Sequence, residues 1–452
     1  MSTATQEHEI LTYVRAQERM DLIVEGTTPM IMKMKTPLAK ALDAMTCIPF
    51  VQNSYKIWED RRHTLTIAGV EAGTLYNPKV DVILEKSIPS SFGKNSGTVL
   101  DPSYRSGQEI RGEDIGFDGY IAEKVLDDVK GFMFPGRKVD AKLYKLAVYE
   151  DGGHFDWHRD STHSDKHHAT LLLALNTSWE GGDLVFRRNG IETHVDLRPR
   201  SPTPNWIELQ AVVFFTDTEH RVEPVKSGIR IVLQFDIELE KAQEGEDEGK
   251  ENQDENEEET EYDSEEETEN YLDPLWAHYS KRMKTGADAQ ATADKATIEK
   301  VLAIIKELHN NGTEEVAFAL QHLYRDSSIL GEYLKGSDAT LYEALKVSGE
   351  FDVSLHPVIF REASGWDSEG AITDHYVYRC DEVTESDESD GPPPSKKKKR
   401  NRSTFHIPEL SGIQEISRQD YVDYTGNEAL PAEYRYFGGG MFIRPKGECS
   451  TK

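Results

Sequence analysis

The clearest pattern of apolar and polar positions lies between residues 141 and 239. Short runs rich in Val, Ile, Leu and Phe are separated there by Gly, Asn, Asp and Pro, a pattern typical of short strands joined by turns. The predicted strands are Lys142–Tyr149, Ala169–Leu175, Asp183–Arg187, Ile191–Val195, Ile207–Thr216 and Ile229–Ile237. Asn189-Gly190, between two of them, favours a type I′ hairpin turn. Many short strands at this spacing favour a sandwich, barrel or jelly roll over a parallel sheet.

The segments on either side mix helical and strand patterns. Apolar residues at three- and four-residue intervals predict helices at Thr36–Ala44, Asp118–Lys130, Thr297–Leu308, Glu314–Tyr324 and Ala339–Val347. Strands are predicted at Thr64–Ile67, Val80–Leu84, Phe351–Phe360 and Tyr434–Ile443. The fold class that follows is α+β, with a strand-rich central domain and a second α+β domain towards the C-terminus.

Two charged tracts divide the chain. Gln243–Glu269 is almost entirely acidic and polar, and the segment 381–402 runs from acidic and Ser-rich to the basic Lys396–Arg402. Like-charge repulsion predicts that both are disordered. The predicted division is a flexible N-terminus at 1–19, an α+β lead-in packing on the central domain at 20–140, the central domain at 141–240, an acidic linker at 241–270, a C-terminal domain at 271–380 and 403–447, and a disordered insert at 381–402.

Composition limits the expected binding partners and cellular compartment. The net charge of −30 disfavours non-specific binding to duplex nucleic acid, although nucleic acid is not excluded as a partner. Cys47, Cys380 and Cys449 are far apart, which argues against a Cys-based zinc or redox site and favours a reducing compartment. Without a signal-peptide pattern or a spanning apolar run, we expect an intracellular protein, nuclear or cytoplasmic, with no membrane partner. Lys396–Arg402 is a candidate contact for a nuclear import receptor.

The candidate chemistry lies in His158-Arg159-Asp160 and, about sixty residues later, His220. Residues two apart on a strand share a face, so His158 and Asp160 can offer an imidazole and a carboxylate to one ion. Two histidines and one carboxylate on one face leave three adjacent positions open, the arrangement of non-haem iron(II) oxygenases. A 2-oxo acid and dioxygen can fill those positions, and Arg230 suits the remote carboxylate of that acid. His154-x-Asp156 is a second pair on the same strand face, and geometry alone does not choose between the pairs.

The segment from Tyr149 to Ile237 resembles the catalytic domain of the prolyl-4-hydroxylase branch of the 2-oxoglutarate/iron(II) dioxygenases. The resemblance rests on Tyr149, Gly152-Gly153, Phe155, His158-x-Asp160, the strand Thr170–Asn176, Trp179 with Gly181-Gly182, His220 and Gly228-x-Arg230. Two C-terminal segments, Lys335–Asp338 and Tyr424–Glu428, resemble uncharacterised fungal and plant members of the superfamily.

This resemblance implies a double-stranded β-helix in which His158, Asp160 and His220 are the metal ligands, in preference to His154 and Asp156. It also implies that Arg230 and Tyr149 bind 2-oxoglutarate, that iron(II) and dioxygen are required, and that ascorbate is a further candidate cofactor. The implied activity is hydroxylation of an unactivated C–H bond, with a protein or peptide as partner and a residue such as proline as target. Two alternatives stay open: a nucleic-acid or small-molecule oxygenase of the same superfamily, and a nuclear scaffold with a ligand-sensing oxygenase-like domain.

The histidines and aromatic residues beside these candidates are expected to have no direct role in the site. His163, His167 and His168 are expected in a polar loop, solvated or near the entrance of the site. Phe155 and Trp157 are expected to point away from the ligands and to belong to the core.

Overall fold

The computed structural model describes residues 30–45, 50–58, 63–94, 97–117, 120–134, 137–188, 191–203, 205–240, 295–367, 370–379, 404–419 and 433–446. The N-terminus at 1–19, the linker at 241–270, the insert at 381–402, the turn at Asn189-Gly190 and the segment Tyr424–Glu428 lie outside the described residues. Within the described ranges, no helix is both long and apolar enough to cross a membrane.

The strands of the first half of the chain are β1 Met30–Met34, β2 Phe50–Trp58, β3 Thr64–Ile67, β4 Val70–Thr74, β5 Ile88–Pro89, β6 Phe92–Lys94, β7 Gly97–Val99, β8 Arg105–Ser106, β9 Gln108–Arg111, β10 Ile115–Phe117, β11 Val139–Tyr149, β12 His154–His158, β13 His167–Ala174, β14 Trp179–Gly181, β15 Leu184–Arg188, β16 Ile191–Val195, β17 Arg200–Thr203, β18 Trp206–Phe215, β19 Glu219–Val222, β20 Val225–Gly228 and β21 Arg230–Leu239. The strands of the second half are β22 Val316–Ala319, β23 Phe351–Asp367, β24 Gly370–Arg379, β25 Thr404–Ile407, β26 Gln414–Gln419 and β27 Glu433–Pro445.

The α-helices are α1 Pro37–Asp43, α2 Val80–Lys86, α3 Tyr120–Met133, α4 at 295–310 and α5 Gly336–Ser348. Short 3₁₀ helices lie at Gly112–Asp114, Asp326–Ser328 and Gly331–Tyr333.

Two facing sheets form the central domain. The main sheet has the order β17-β18-β13-β21-β11-β9-β5, with β2 paired to β18, and the facing sheet has the order β16-β15-β19-β12-β8. Inward side chains of both sheets form one apolar cluster, which includes Leu172, Phe214 and Val232 from the main sheet and Leu184 and Val222 from the facing sheet. This arrangement confirms the predicted double-stranded β-helix.

The outer face of the main sheet is covered as well. Leu171 and Leu173 alternate with the inward Leu172 on β13 and pack in a cluster with Val125 and Val129 of α3. All eight residues of β13 are therefore buried, as expected for a strand with both faces covered.

The second domain is built on a seven-stranded sheet with the order β22-β25-β1-β24-β23-β27-β26. On one face, Leu341 and Leu345 of α5 pack with Ile305 of α4. Phe360 and Phe405 belong to a separate cluster of the same sheet. The predicted α+β character of this domain is confirmed.

Three predictions about elements are wrong. Val80–Leu84 is in α2 rather than a strand, and only Ile83 of that helix is buried. Glu314–Tyr324 contains the strand β22 rather than a helix, because Val316–Ala319 is buried between β25 and β27. The lead-in does not pack as a whole on the central domain: β1 pairs with β24 and β25, and α1 packs in the second core through Leu38.

Candidate metal centre and cleft

Three predicted ligands converge where β12 meets β19. His158 and His220 are direct partners across this antiparallel pair, and their ring centroids are 4.2 Å apart. Asp160 Oδ1 lies 3.9 Å from His158 Nε2 and 3.8 Å from His220 Nε2. One ligand atom from each residue lies within 4.8 Å of the others, close enough to face a single ion. We call His158, Asp160 and His220 the convergent group.

Hydrogen bonds to the far side of each group fix its orientation. His158 Nδ1 lies 2.7 Å from the carbonyl oxygen of Asp156, and His220 Nδ1 lies 2.8 Å from that of Thr218. A carbonyl only accepts, so the proton of each neutral ring is on Nδ1 and the lone pair on Nε2 faces the centre. Thr170 Oγ1 donates to Asp160 Oδ2 at 2.5 Å, which leaves Oδ1 for the centre. Such contacts orient ligands in metal sites.

The electrostatics suit these protonation states. Burial lowers the pKa of His158 well below its usual value, and the neighbouring His220 lowers it further. Burial alone would raise the pKa of Asp160, but His220, His158 and the Thr170 hydrogen bond outweigh it, so the pKa of this carboxyl is lowered. A neutral imidazole and an ionised carboxylate are the forms that bind metals.

A β-bulge in β12 separates the two His-x-Asp pairs. Phe155 faces Val222 and His158 faces His220, so β12 has one more residue than β19 in this interval. His154 is directed to the backbone, with its ring nitrogens 2.9 Å from the oxygen of Gly152 and 3.2 Å from that of Ser103. Asp156 is exposed and accepts a hydrogen bond from the Trp157 N–H. The pair at 154 and 156 is therefore not part of the convergent group.

The convergent group opens into a cleft of about 430 Å³, a volume that includes solvent at its mouth. Arg230 lines this cleft and is only 1% exposed. Its Nε and Nη2 have no hydrogen-bond partner among the residues that the structure describes. A buried guanidinium without an anion is costly, and a carboxylate is the group that its planar fork fits. This orphaned cation fits the remote carboxylate of 2-oxoglutarate.

Tyr149 accompanies Arg230. The two residues face each other across β11 and β21, and the guanidinium carbon lies 5.3 Å from the centre of the Tyr149 ring. Gly182 provides room beside them: it has φ +63°, and a Cβ there would lie 2.9 Å from Val225 Cγ2 and 3.3 Å from Arg230 Cδ. Only glycine combines that backbone conformation with that space.

The two aromatic residues of β12 correct an expectation. Phe155 does not point away from the site: it lines the cleft and stacks on the ring of His158, with centroids 3.5 Å apart. Trp157 contacts the guanidinium groups of Arg187 and Arg221, at 4.2 and 4.7 Å, and is not a core residue. The bulge is the cause, because it breaks the two-residue alternation from which the faces were predicted.

The histidines that follow Asp160 in the sequence correct a second expectation. His167 and His168 begin β13 and are both 1% exposed, rather than lying in a polar loop. His167 and His163 form a group with Asp236, in which His163 Nδ1 lies 2.6 Å from Asp236 Oδ2. His167 Nδ1 accepts from the His163 N–H at 3.2 Å, and its Nε2 lies 3.1 Å from the oxygen of Ala169. Both ring nitrogens of His167 are thus engaged within the protein.

A comparison with protein families matches the central part of the chain. Residues 144–235 match the model described as the 2OG-Fe(II) oxygenase superfamily. This segment is a 2OG-Fe(II) oxygenase domain. The match contains the convergent group and Arg230, so the family resemblance is confirmed, whereas the likeness to fungal members stays a prediction. Members of this family depend on iron(II), 2-oxoglutarate and dioxygen, and the residues of the cleft fit the metal and the 2-oxoglutarate carboxylate.

Several solved structures are similar to part of this chain. A prolyl hydroxylase from Trichoplax adhaerens, in complex with a peptide of hypoxia inducible factor, is 15% identical over 35% of this chain and 74% of that chain, with a TM-score of 0.28. A prolyl-4-hydroxylase of Pseudomonas putida is 17% identical over 45% of this chain and 100% of that chain, with a TM-score of 0.27. A viral collagen prolyl hydroxylase of Paramecium Bursaria Chlorella virus-1 is 19% identical over 35% of this chain and 87% of that chain, with a TM-score of 0.24. Such identities and TM-scores say nothing about the substrate of this chain, and no curated protein matches it.

The sequence does not predict the roles of three groups: Thr170, which contacts Asp160, and Lys145 and Arg105, which line the cleft. Thr170 was part of the motif but had no assigned role. Lys145 lies four residues before Tyr149 on β11, so the alternation of that strand could have placed it in the cleft. Arg105 lines the cleft from β8, a two-residue strand that no motif marks.

Proposed function

We propose that this protein is an iron(II)- and 2-oxoglutarate-dependent dioxygenase that hydroxylates an unactivated C–H bond. The observation that carries the proposal is the convergence of His158, Asp160 and His220 in a cleft that is also lined by the buried Arg230, two of whose nitrogens have no hydrogen-bond partner among the described residues. A metal site and an anion site in one cleft are what a metal-chelated dicarboxylate requires.

In this proposal His158 Nε2, Asp160 Oδ1 and His220 Nε2 hold iron(II). Arg230 binds the remote carboxylate of 2-oxoglutarate, and Tyr149 donates a hydrogen bond beside it. When bound, iron(II) with 2-oxoglutarate and dioxygen supplies the oxidising power that inserts one oxygen atom into a C–H bond, with release of succinate and carbon dioxide.

The protein's own groups orient the reactants and exclude water. The carbonyls of Asp156 and Thr218 keep both imidazoles in the ligating tautomer, and Thr170 holds the second carboxylate oxygen of Asp160. Leu172, Phe214 and Val232 are among the apolar residues that line the cleft, so its low polarity strengthens the charge interactions of the anchored groups.

The proposed substrate is a protein residue, with proline as the first candidate, because the sequence motifs resemble the prolyl-4-hydroxylase branch. We further propose an intracellular location, with Lys396–Arg402 as a nuclear import signal that would recruit an import receptor. Ascorbate is proposed as a reductant that keeps the metal ferrous.

Succinate release tests the proposal. Purified full-length protein, supplied with iron(II), ascorbate and 2-oxoglutarate, should form succinate, and His220→Ala should abolish it. His154→Ala is the matched control and should retain it, because His154 lies outside the convergent group. A silent wild type that binds no iron(II), or equal activity in wild type and His220→Ala, would overturn the proposal.

The substrate class is tested by stimulation of the same release. Proline-containing peptides should increase succinate formation above the level without substrate. Stimulation by methylated oligonucleotides alone would favour a nucleic-acid oxygenase. A protein that binds iron(II) and 2-oxoglutarate, but forms no succinate with any substrate class, would favour the scaffold with a ligand-sensing domain.

A further inference from the structure

The cleft carries more positive charge than the proposed reaction uses. Arg105, Lys145 and Arg230 line it, whereas Asp160 is the one carboxylate among the lining residues that the structure describes. This contrasts with the net charge of −30 for the whole chain. Arg230 has a role in the proposed function, but Arg105 and Lys145 have none.

Arg105 and Lys145 share the half-buried carboxylate of Glu109, which lies behind the cleft. Arg105 Nη2 lies 3.1 Å from Glu109 Oε2, and Lys145 Nζ lies 3.2 Å from the same oxygen. Arg105 also donates from Nη1 to the carbonyl of Ser91. Among the lining residues and their ion-pair partners that the structure describes, the three cations Arg105, Lys145 and Arg230 are matched by two carboxylates, Asp160 and Glu109. One positive charge is therefore in excess, which is costly in a place of low solvent exposure unless an anion binds there.

Arg105 has spare hydrogen-bonding capacity. The residue is 6% exposed, and its Nε has no hydrogen-bond partner within the described part of the chain. This is the second guanidinium of the cleft with an orphaned buried donor, after that of Arg230. Each such donor indicates a ligand that accepts hydrogen bonds.

The two cations lie on the metal side of the cleft, away from Arg230. Tyr149 pairs with Arg230, whereas Lys145 pairs with Gln234, four residues further along both strands. At the rise of a strand, the backbone positions of Lys145 and Tyr149 are therefore roughly 13 Å apart. The Arg105 guanidinium lies 4.6 Å from the centre of the Phe155 ring, which stacks on His158. An anion held by Arg105 and Lys145 would therefore lie beside the metal centre and leave Arg230 to 2-oxoglutarate.

The positive charge that remains after iron(II) and 2-oxoglutarate have bound indicates that a further anion binds in the cleft. Iron(II) carries two positive charges and 2-oxoglutarate two negative charges, so their binding leaves the excess unchanged. We infer that the substrate carries a carboxylate close to the oxidised carbon, and that Arg105 and Lys145 bind this carboxylate. This inference rests on the proposed function and specifies its substrate: an acidic peptide, with Asp or Glu beside the target residue, or a small carboxylic acid.

Anaerobic calorimetry tests the inference without turnover. The full-length protein is loaded with iron(II) and 2-oxoglutarate and titrated with two peptide libraries that have a central proline, one flanked by Asp and Glu and the other by Asn and Gln. N-acetylproline and its amide form the small-molecule arm. In one arm or the other, the acid should bind at least about ten-fold more tightly than its amide counterpart, the usual worth of a charge-assisted hydrogen bond.

Variants identify the residues responsible. Lys145→Met and Arg105→Gln should each reduce the ratio of acid to amide affinity towards one, and Lys145→Arg should restore part of it. Lys142→Met is the matched control: it is the same substitution on the same strand, but Lys142 is exposed and paired with Glu238 outside the cleft, so the ratio should persist. Circular dichroism and uptake of iron(II) with 2-oxoglutarate establish that each variant is folded and loaded.

The outcomes separate this inference from the proposed function. A wild type that fails to take up iron(II) and 2-oxoglutarate overturns both. Loaded wild type with equal affinity for acids and amides in both arms, or with no binding in either, overturns only the inference. A preference for acids that survives Lys145→Met and Arg105→Gln also overturns it, because the carboxylate would then be bound elsewhere.

Discussion

Asp160 is the residue whose surroundings most directly link sequence to chemistry. Its Oδ2 accepts from Thr170, its N–H donates to the oxygen of Thr216 at 3.0 Å, and its Oδ1 faces two imidazoles. The side chain is thus oriented by the strand β13 and by the end of β18, rather than by its own loop alone.

At this scale we predict that Thr170→Val weakens iron(II) binding about ten-fold, because loss of a hydrogen bond to a ligating carboxylate frees its orientation. An anaerobic iron(II) titration measures the change. Thr177→Val is the control, since Thr177 Oγ1 has no hydrogen-bond partner in the described ranges and its loss should not affect the metal. Equal affinities of wild type and Thr170→Val would contradict this account of Asp160.

The convergent residues could be predicted from the sequence, but their neighbours could not. His158, Asp160, His220 and Arg230 stand at motif spacings, and the structure brings them into one cleft. The face of Phe155 was mispredicted because a bulge leaves no mark in the alternation of apolar positions. Arg105 was missed because a two-residue strand has no period to detect.

At the scale of elements, long periodic segments were predictable and short apolar runs were not. Helices α3 and α5 lie close to their predicted bounds, as do β13 and β18. Val316–Ala319 and Val80–Lys86 were interchanged in type, because four or five apolar residues fit either a buried strand or one helical turn. The pairing of β1 with β24 and β25 joins residues more than 340 positions apart, which no local pattern reveals.

A buried histidine of β25, His406, contacts the residue that caps helix α1. Thr36 Oγ1 accepts from the Ala39 N–H at 3.1 Å and lies 2.9 Å from His406 Nδ1. Burial lowers the pKa of His406 to about 4, and Lys33 acts in the same direction. Between this pKa and the usual value of about 6.5, the unfolded chain binds a proton that the folded chain does not, so stability falls as the pH falls through this window.

We therefore predict that His406 removes roughly 2 kcal/mol from the free energy of unfolding between pH 7 and pH 4.5. Urea unfolding across this range should show a smaller loss in His406→Gln than in wild type. His194→Gln, at an exposed position, should follow the wild type. The same loss of unfolding free energy with falling pH in wild type and His406→Gln would show that this histidine does not titrate as described.

At the scale of the whole molecule, the second domain contacts the loop that precedes His220. Lys335 Nζ donates to Thr216 Oγ1 at 3.0 Å and lies 3.5 Å from Asp217 Oδ1. His322 Nδ1 lies 3.0 Å from Asp217 Oδ2. The same loop supplies the carbonyl of Thr216 to Asp160 and that of Thr218 to His220. The second domain is therefore coupled to the candidate metal centre through buried polar contacts.

We predict that Lys335→Met lowers the free energy of unfolding by about 3 kcal/mol, because it leaves a buried carboxylate without one of its partners. It should also weaken iron(II) binding, since the loop that orients two ligands loses its support. Thermal unfolding and iron(II) titration measure the two effects. Lys306→Met removes an exposed ion pair with Glu350 and should change stability by less than about 0.5 kcal/mol. Unchanged stability and unchanged iron(II) affinity in Lys335→Met would refute the coupling.

The most direct test of the whole account is an anaerobic titration of iron(II), in the presence of 2-oxoglutarate, into wild type, His220→Ala and His154→Ala. We expect one iron(II) per chain in wild type and in His154→Ala, and a loss of binding in His220→Ala. Binding that survives His220→Ala, or that disappears with His154→Ala, would mean that the metal lies elsewhere and that the convergence of His158, Asp160 and His220 has another purpose.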